Sequence, residues 1–146
     1  EDQKVTSDSR LVSVGAGELR KEIEQQIGKF GLAEKVILLG IRKDVNEIYS
    51  AFDFFAFPSL YEGLSLVSIE AQSSGLKILA SDTIDHACNI TENITFMGLE
   101  KSANVWAEHI YKTPLEDRSE VKERIVNSGY DIKNTVNKIE KIYLEN

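Results

Sequence analysis

Four short apolar runs constrain this chain more than any other feature. They are Leu11-Val-Ser-Val14, Val36-Ile-Leu-Leu39, Phe54-Phe-Ala-Phe57 and Lys77-Ile-Leu-Ala80. Each is four residues long, continuously apolar or nearly so, and separated from the next by a segment of helical periodicity. The first such segment, residues 18–30, places Leu19, Ile23 and Ile27 on one face, and Gly31 stands where a helix C-cap glycine belongs. The second opens with Asp44 and Glu47 in capping-box spacing and runs to about Phe52. The third covers residues 64–74. Strand and helix alternating over short connections predict a parallel sheet, and continuous rather than alternating apolar strands predict burial on both faces. The fold class expected is therefore α/β, a parallel sheet with helices on both sides.

Beyond Asp82 the pattern weakens. Ile94-Thr-Phe-Met97 reads as a fifth strand, and Ser102 as the cap of a helix reaching Lys112. Thr113-Pro-Leu-Glu116 combines a cap, a first-turn proline and a capping-box glutamate, which predicts a helix to about Asn127 ended by Gly129. Asp131 caps a last helix with Ile132, Val136, Ile139, Ile142 and Tyr143 on one stripe. An exposed apolar patch is expected on that stripe or on the crevice face of the domain, with self-association through it.

The chain has 146 residues, enough for one compact domain, and a net charge of −7 spread along its length. A nucleic-acid groove would carry a basic stripe instead. No apolar run approaches the length of a membrane span. Cys88 is the only cysteine, so an internal disulfide is excluded and a reducing cytoplasm fits. Its neighbour His86, like His109, has no identifiable catalytic partner and reads as a loop or core residue. The sequons at Asn89 and Asn93 matter only in a secretory compartment, which nothing else suggests.

The chemistry lies in residues 57–75, Phe-Pro-Ser-Leu-Tyr-Glu-Gly-Leu-Ser-Leu-Val-Ser-Ile-Glu-Ala-Gln-Ser-Ser-Gly. With a helix starting near Leu64, Glu62 sits at its mouth and Glu70 about two turns inside, roughly 12 Å apart along the axis. A carboxylate pair for glycosidic hydrolysis needs about 5–9.5 Å. The longer spacing suits a sugar diphosphate joined to a ribose, with the free N–H groups of the helix start between the two carboxylates as phosphate ligands.

Glu62-x7-Glu70, set in Pro-Ser-x-Tyr-Glu-Gly and followed by Glu-Ala-x-x-x-Gly, resembles the donor-site signature of the family 4, GT-B fold retaining glycosyltransferases. The resemblance implies a Rossmann-like donor-binding domain, the C-terminal half of a GT-B fold. Residues 1–10 form a polar lead-in, and residues 11–146 one nucleotide-sugar-binding domain truncated at its N-terminal side. It implies that Glu62 lies beside the donor hexose as the catalytic carboxylate. Gly63, Leu64, Ser65 and Leu66 then offer backbone amides to sugar and pyrophosphate, and Glu70 holds the ribose hydroxyls. Gly40-Ile-Arg-Lys-Asp44 matches the family's base-binding loop, which makes Ile41 and Arg42 the base-side candidates, with a solvated loop charge as the alternative for Arg42. Gly15-Ala-Gly17 lacks the third glycine of a dinucleotide fingerprint, since Arg20 stands there, and fits the family's second strand better.

The wording is most similar to bacterial exopolysaccharide or capsule enzymes. Such an enzyme moves a hexosyl group from an NDP-sugar to a growing polysaccharide or lipid-linked acceptor, without a metal or other cofactor. The partners implied are the NDP-sugar and an N-terminal acceptor-binding domain, with no nucleic acid. The place implied is the cytoplasm, with the inner membrane face as a peripheral site for the whole protein. The family's leaving-group Arg and Lys have no counterpart here, so this stretch by itself is expected to be inactive. Lys77 stands where the family usually has Pro, and Ser65 where Gly or Pro is frequent. Two other readings of the architecture are a flavodoxin- or receiver-like interaction module and half of a sugar-nucleotide epimerase.

Overall fold

The computed structural model describes residues 9–115, 118 and 121–145. Residues up to Val45 gather into one compact unit and residues from Asn46 onward into a second.

In the first unit, β1 (Leu11–Val14) and β2 (Val36–Gly40) pair in parallel, Leu11 opposite Val36, across α1 (Arg20–Lys29). The helix is shorter than its periodicity suggests because Leu19 supplies no side-chain cap at its start. Its end is closed as expected. Gly31 takes φ +66°, its N–H donates to the Gly28 carbonyl, and that of Leu32 donates to Ile27. Those are the paired bonds of a Schellman closure, which favours glycine. Burial departs from expectation. The strands alternate between half-buried and exposed residues, and α1 buries none. Leu11, Leu19, Ile23, Ile37 and Leu39 are all exposed among the described residues.

The second unit holds the dense core. Its sheet has β3 (Phe54–Phe57), β4 (Lys77–Ser81) and β5 (Ile94–Met97), all parallel with β4 in the middle. Only the central strand has the continuous burial predicted for all of them: Ile78, Leu79 and Ala80 are sealed, together with Leu76, Ala71, Ile69, Ile84 and Cys88. The helices are α2 (Val45–Ser50), α3 (Leu66–Ser73), α4 (Ala103–Lys112), α5 (Val121–Ile125) and α6 (Ile132–Leu144).

Two boundaries differ instructively from the sequence pattern. Thr113 does not start a helix. It ends α4, its N–H donating to the carbonyls of His109 and Ile110 and its hydroxyl to His109 at 2.8 Å. Glu116 lies outside the described residues. Gly129, at φ +86°, sits in a π-turn (Val126–Tyr130) rather than directly after a regular helix. Asp131 caps α6 as expected, its carboxylate accepting from the Asn134 N–H at 2.9 Å. The apolar stripe of α6 is open: Ile132, Val136, Ile139, Ile142 and Tyr143 are all exposed. No helix among the described residues is long and apolar enough to cross a membrane.

Candidate functional site

Pro58 and Ser59 end β3, and the chain then crosses the carboxyl end of the sheet to reach α3. The crossing is pinned at the Ser59 carbonyl, which accepts from the hydroxyls of Ser81 and of Thr83, the latter at 2.9 Å. Ser59 in turn donates its hydroxyl to the Tyr61 carbonyl at 3.3 Å and lies 3.5 Å from the Glu62 carboxylate. Glu62 is half-buried on this loop, while Leu60 and Tyr61 beside it are fully exposed.

α3 begins at Leu66, two residues later than its apolar pattern implies, because Ser65 is its N-cap. The Ser65 hydroxyl accepts from the Ser68 N–H at 3.3 Å, and the Ser65 carbonyl receives the N–H of Ile69 and the hydroxyl of Ser68. A serine hydroxyl at that position satisfies one of the four orphan N–H groups of a helix start. One correction follows. Gly63 and Leu64 lie in a bend rather than in the helix, so helical rise does not measure the separation of Glu62 from Glu70. Glu70 stands only about 6 Å along the axis from Leu66. Ser65 is also buried, with its hydroxyl committed to the cap, which leaves its backbone as the group for a ligand.

The loop and helix start share one property. The N–H groups of Gly63, Leu64, Ser65, Leu66 and Val67 donate to no acceptor among the described residues. Five consecutive donors without partners among the described residues, at and just before a helix start whose dipole is positive, favour a bound anion. Glu70 is exposed on the same helix.

Sequence reasoning missed two residues that hold this segment. Tyr49 in α2 is buried, and its O–H donates to the Val67 carbonyl at 3.3 Å. Gln72, two residues past Glu70, is fully buried and joins α3 to the loop before β5. It donates to the carbonyls of Ser68 at 3.2 Å and Cys88 at 2.7 Å, and accepts from the N–H and hydroxyl of Thr91. A glutamine inside a helical apolar pattern, with polar residues four positions before it, was the available signal. Gly75, at φ +75°, closes α3 where an added Cβ would lie 2.5 Å from the Arg118 side chain, so the glycine of Glu-Ala-x-x-x-Gly is required twice over.

The base-side candidates lie in the first unit. Ile41, after Gly40 at φ +70°, is exposed. Arg42 grips Asp44 with two donors, Nε at 2.8 Å, and that bond holds the Asp44 carboxyl below its usual range. Arg42 is therefore a partnered side chain that stays exposed on its loop. The Gly15-Ala-Gly17 turn borders a groove of about 520 Å³ with Leu19, Ile23 and Leu38. Elsewhere, Cys88 is buried and His86 stacks on Phe96 at 3.8 Å, as expected of core and loop residues. Among the described residues no three His, Cys, Asp or Glu side chains gather where they could hold a metal ion.

Residues 2–113 match the family described as Glycosyl transferases group 1. The chain belongs to that family. This group 1 chain is 35% identical over 138 residues to the glycosyltransferase named EpsF in Bacillus subtilis, covering 92% of itself and 36% of EpsF. It is 31% identical over 145 residues to the UDP-Gal:alpha-D-GlcNAc-diphosphoundecaprenol alpha-1,3-galactosyltransferase of Escherichia coli, covering 94% of itself and 37% of that enzyme. It thus spans little more than a third of the curated relatives it matches. Among solved structures it is similar to the pneumococcal O-GlcNAc transferase GtfA in complex with UDP and GlcNAc, with a TM-score of 0.70 at 19% identity over 93% of this chain and 29% of GtfA. The fold is that of the GT-B glycosyltransferases, with parallel strands flanked by helices.

Proposed function

We propose that this chain is the nucleotide-sugar donor-binding domain of a retaining, family 4 glycosyltransferase. The whole protein transfers a hexosyl group from an NDP-sugar to a growing polysaccharide or lipid-linked acceptor. The observation that carries the reading is the run of amides from Gly63 to Val67 that have no partner among the described residues, set between Glu62 and Glu70. The bond that breaks joins the anomeric carbon to a phosphate oxygen, and negative charge grows on the departing diphosphate. Fixed N–H dipoles aimed at that charge lower the barrier without reorganising. In this reading the amides of Gly63, Leu64, Ser65 and Leu66 take the pyrophosphate and sugar, and Glu70 accepts from the ribose hydroxyls. Glu62 lies against the hexose. Transfer proceeds without a metal ion. The diphosphoundecaprenol acceptor named for the Escherichia coli relative supports a lipid-linked acceptor, and the UDP bound in GtfA supports a uridine donor.

Calorimetric titration with UDP, GDP and ADP tests the reading. Saturable binding of at least one is expected, and flat titrations at millimolar concentration with all three would count decisively against it. Glu62→Ala is expected to leave affinity for the free nucleotide within twofold, because the partner proposed for Glu62 is the sugar. If Glu62→Ala were the more damaging change for the nucleotide alone, the two carboxylates would have exchanged roles.

The apolar stripe of α6 is proposed to pack against the acceptor-binding part of the longer protein. Offered no such surface, it is expected to pair with a second copy of itself. Sedimentation should then find association that Ile139→Glu abolishes, and a monomer at every concentration would refute the pairing.

A further inference from the structure

Tyr49 takes no part in the roles assigned above, yet its side chain is fastened to the start of α3. Its ring is 5% exposed and stands edge-on to Phe52 and Phe55, with centroids 6.3 and 5.9 Å away. Its O–H reaches the carbonyl of Val67, the second residue of α3. The other end of that same peptide unit, the Ser68 N–H, is held by the Ser65 hydroxyl. One peptide of the first turn is thus clamped at both its C=O and its N–H. Glu70 follows Val67 by three residues, which places the two as neighbours on one helical face.

We propose that Tyr49 is a positioning residue of the nucleotide site, fixing the first turn of α3 so that the Glu70 carboxylate is presented to the ribose in one orientation. This rests on reading α3 as the diphosphate and ribose clamp. The geometry has an electrostatic counterpart. Burial, and after it the negative charge of Glu70, push the Tyr49 phenol up to about 12. A phenol so shifted stays protonated throughout the neutral range, and therefore stays a donor to Val67.

Tyr49→Phe removes only the hydroxyl and keeps the ring against Phe52 and Phe55, so the fold survives. For whichever of UDP, GDP and ADP binds the unaltered chain best, affinity measured well below the melting temperature should fall about three- to tenfold, as for one lost hydrogen bond. Amide hydrogen exchange at Ser68, Ile69 and Glu70 should accelerate in the same variant. The deciding arm is a double-mutant cycle: in a Glu70→Ala background, Tyr49→Phe should change affinity less than twofold, since the group it orients is gone. A purely structural role would lower the melting temperature without that coupling. Should Glu70→Ala weaken binding while Tyr49→Phe does not, the inference falls and the clamp reading stands. An undiminished effect of Tyr49→Phe in the Glu70→Ala background also overturns it. Absence of binding by the unaltered chain sinks the clamp reading and the inference together.

Discussion

Glu70→Ala should weaken nucleoside diphosphate binding by about 1.5–3 kcal/mol, the range for a hydrogen bond to a charged group. In calorimetry that is a rise in Kd of roughly ten- to a hundredfold or more. The expectation follows from the place of Glu70 on α3. It is exposed, and on binding a ribose would present two hydroxyl donors to its two oxygens. Removing the carboxylate leaves those hydroxyls facing an alanine. The fold should not suffer, since alanine favours helix and the lost side chain is solvated. Glu70→Gln keeps an acceptor of similar shape without the charge and should fall between the two. If all three proteins bound UDP, GDP and ADP alike, ribose recognition would have to lie elsewhere, and Glu70 would be an ordinary surface residue.

The strands and most of the helices were legible because their signals are local. Leu11–Val14, Phe54–Phe57, Lys77–Ser81 and Ile94–Met97 lie within a residue of where apolar runs place them. Glycines at positions that need positive φ, and Ser102 and Asp131 as caps, mark ends that sequence alone identifies. What misled was competition between local signals. The apolar pattern opens α3 near Leu64, and the contact of the Ser65 hydroxyl with the Ser68 N–H moves the start to Leu66. Thr113 carries a start signal, yet its hydroxyl satisfies a carbonyl at the end of α4 instead. Burial was the least legible quantity. A run such as Val36-Ile-Leu-Leu39 says that a strand could be covered on both faces, but what covers it is a long-range matter. In the candidate site, Glu62 and Glu70 were the residues that spacing and neighbours singled out. Tyr49 and Gln72 were not, because each acts through a backbone group many residues away, Val67 for the first and Cys88 and Thr91 for the second.

Gln72 carries the largest expected effect on stability. Its side-chain amide is sealed from solvent and makes four hydrogen bonds, donating to the Ser68 and Cys88 carbonyls and accepting from the N–H and hydroxyl of Thr91. Thr91 and Cys88 are equally buried, so in Gln72→Ala their freed polar groups have no ready access to water. Each such orphan costs about 1–3 kcal/mol, offset in part where a water enters the space the amide vacates. The net loss should be about 3 kcal/mol, which for a domain of this size lowers the melting temperature by roughly 6–12 °C. Gln72→Glu separates hydrogen bonding from shape. A carboxylate is nearly isosteric but cannot donate to either carbonyl, and burying its charge is costlier still. Its destabilisation should be smaller near pH 4, where the protonated carboxyl can donate to one carbonyl, and larger near pH 7, where the unfolded chain ionises it and the buried site disfavours the charge. Urea unfolding at the two pH values, with unchanged m-values, reads this directly. A cost under 0.5 kcal/mol for Gln72→Ala would mean that the loop carrying Cys88 and Thr91 does not depend on α3 for its place. The Glu-Ala-Gln-Ser-Ser-Gly segment would then hold only the ligand and not the fold.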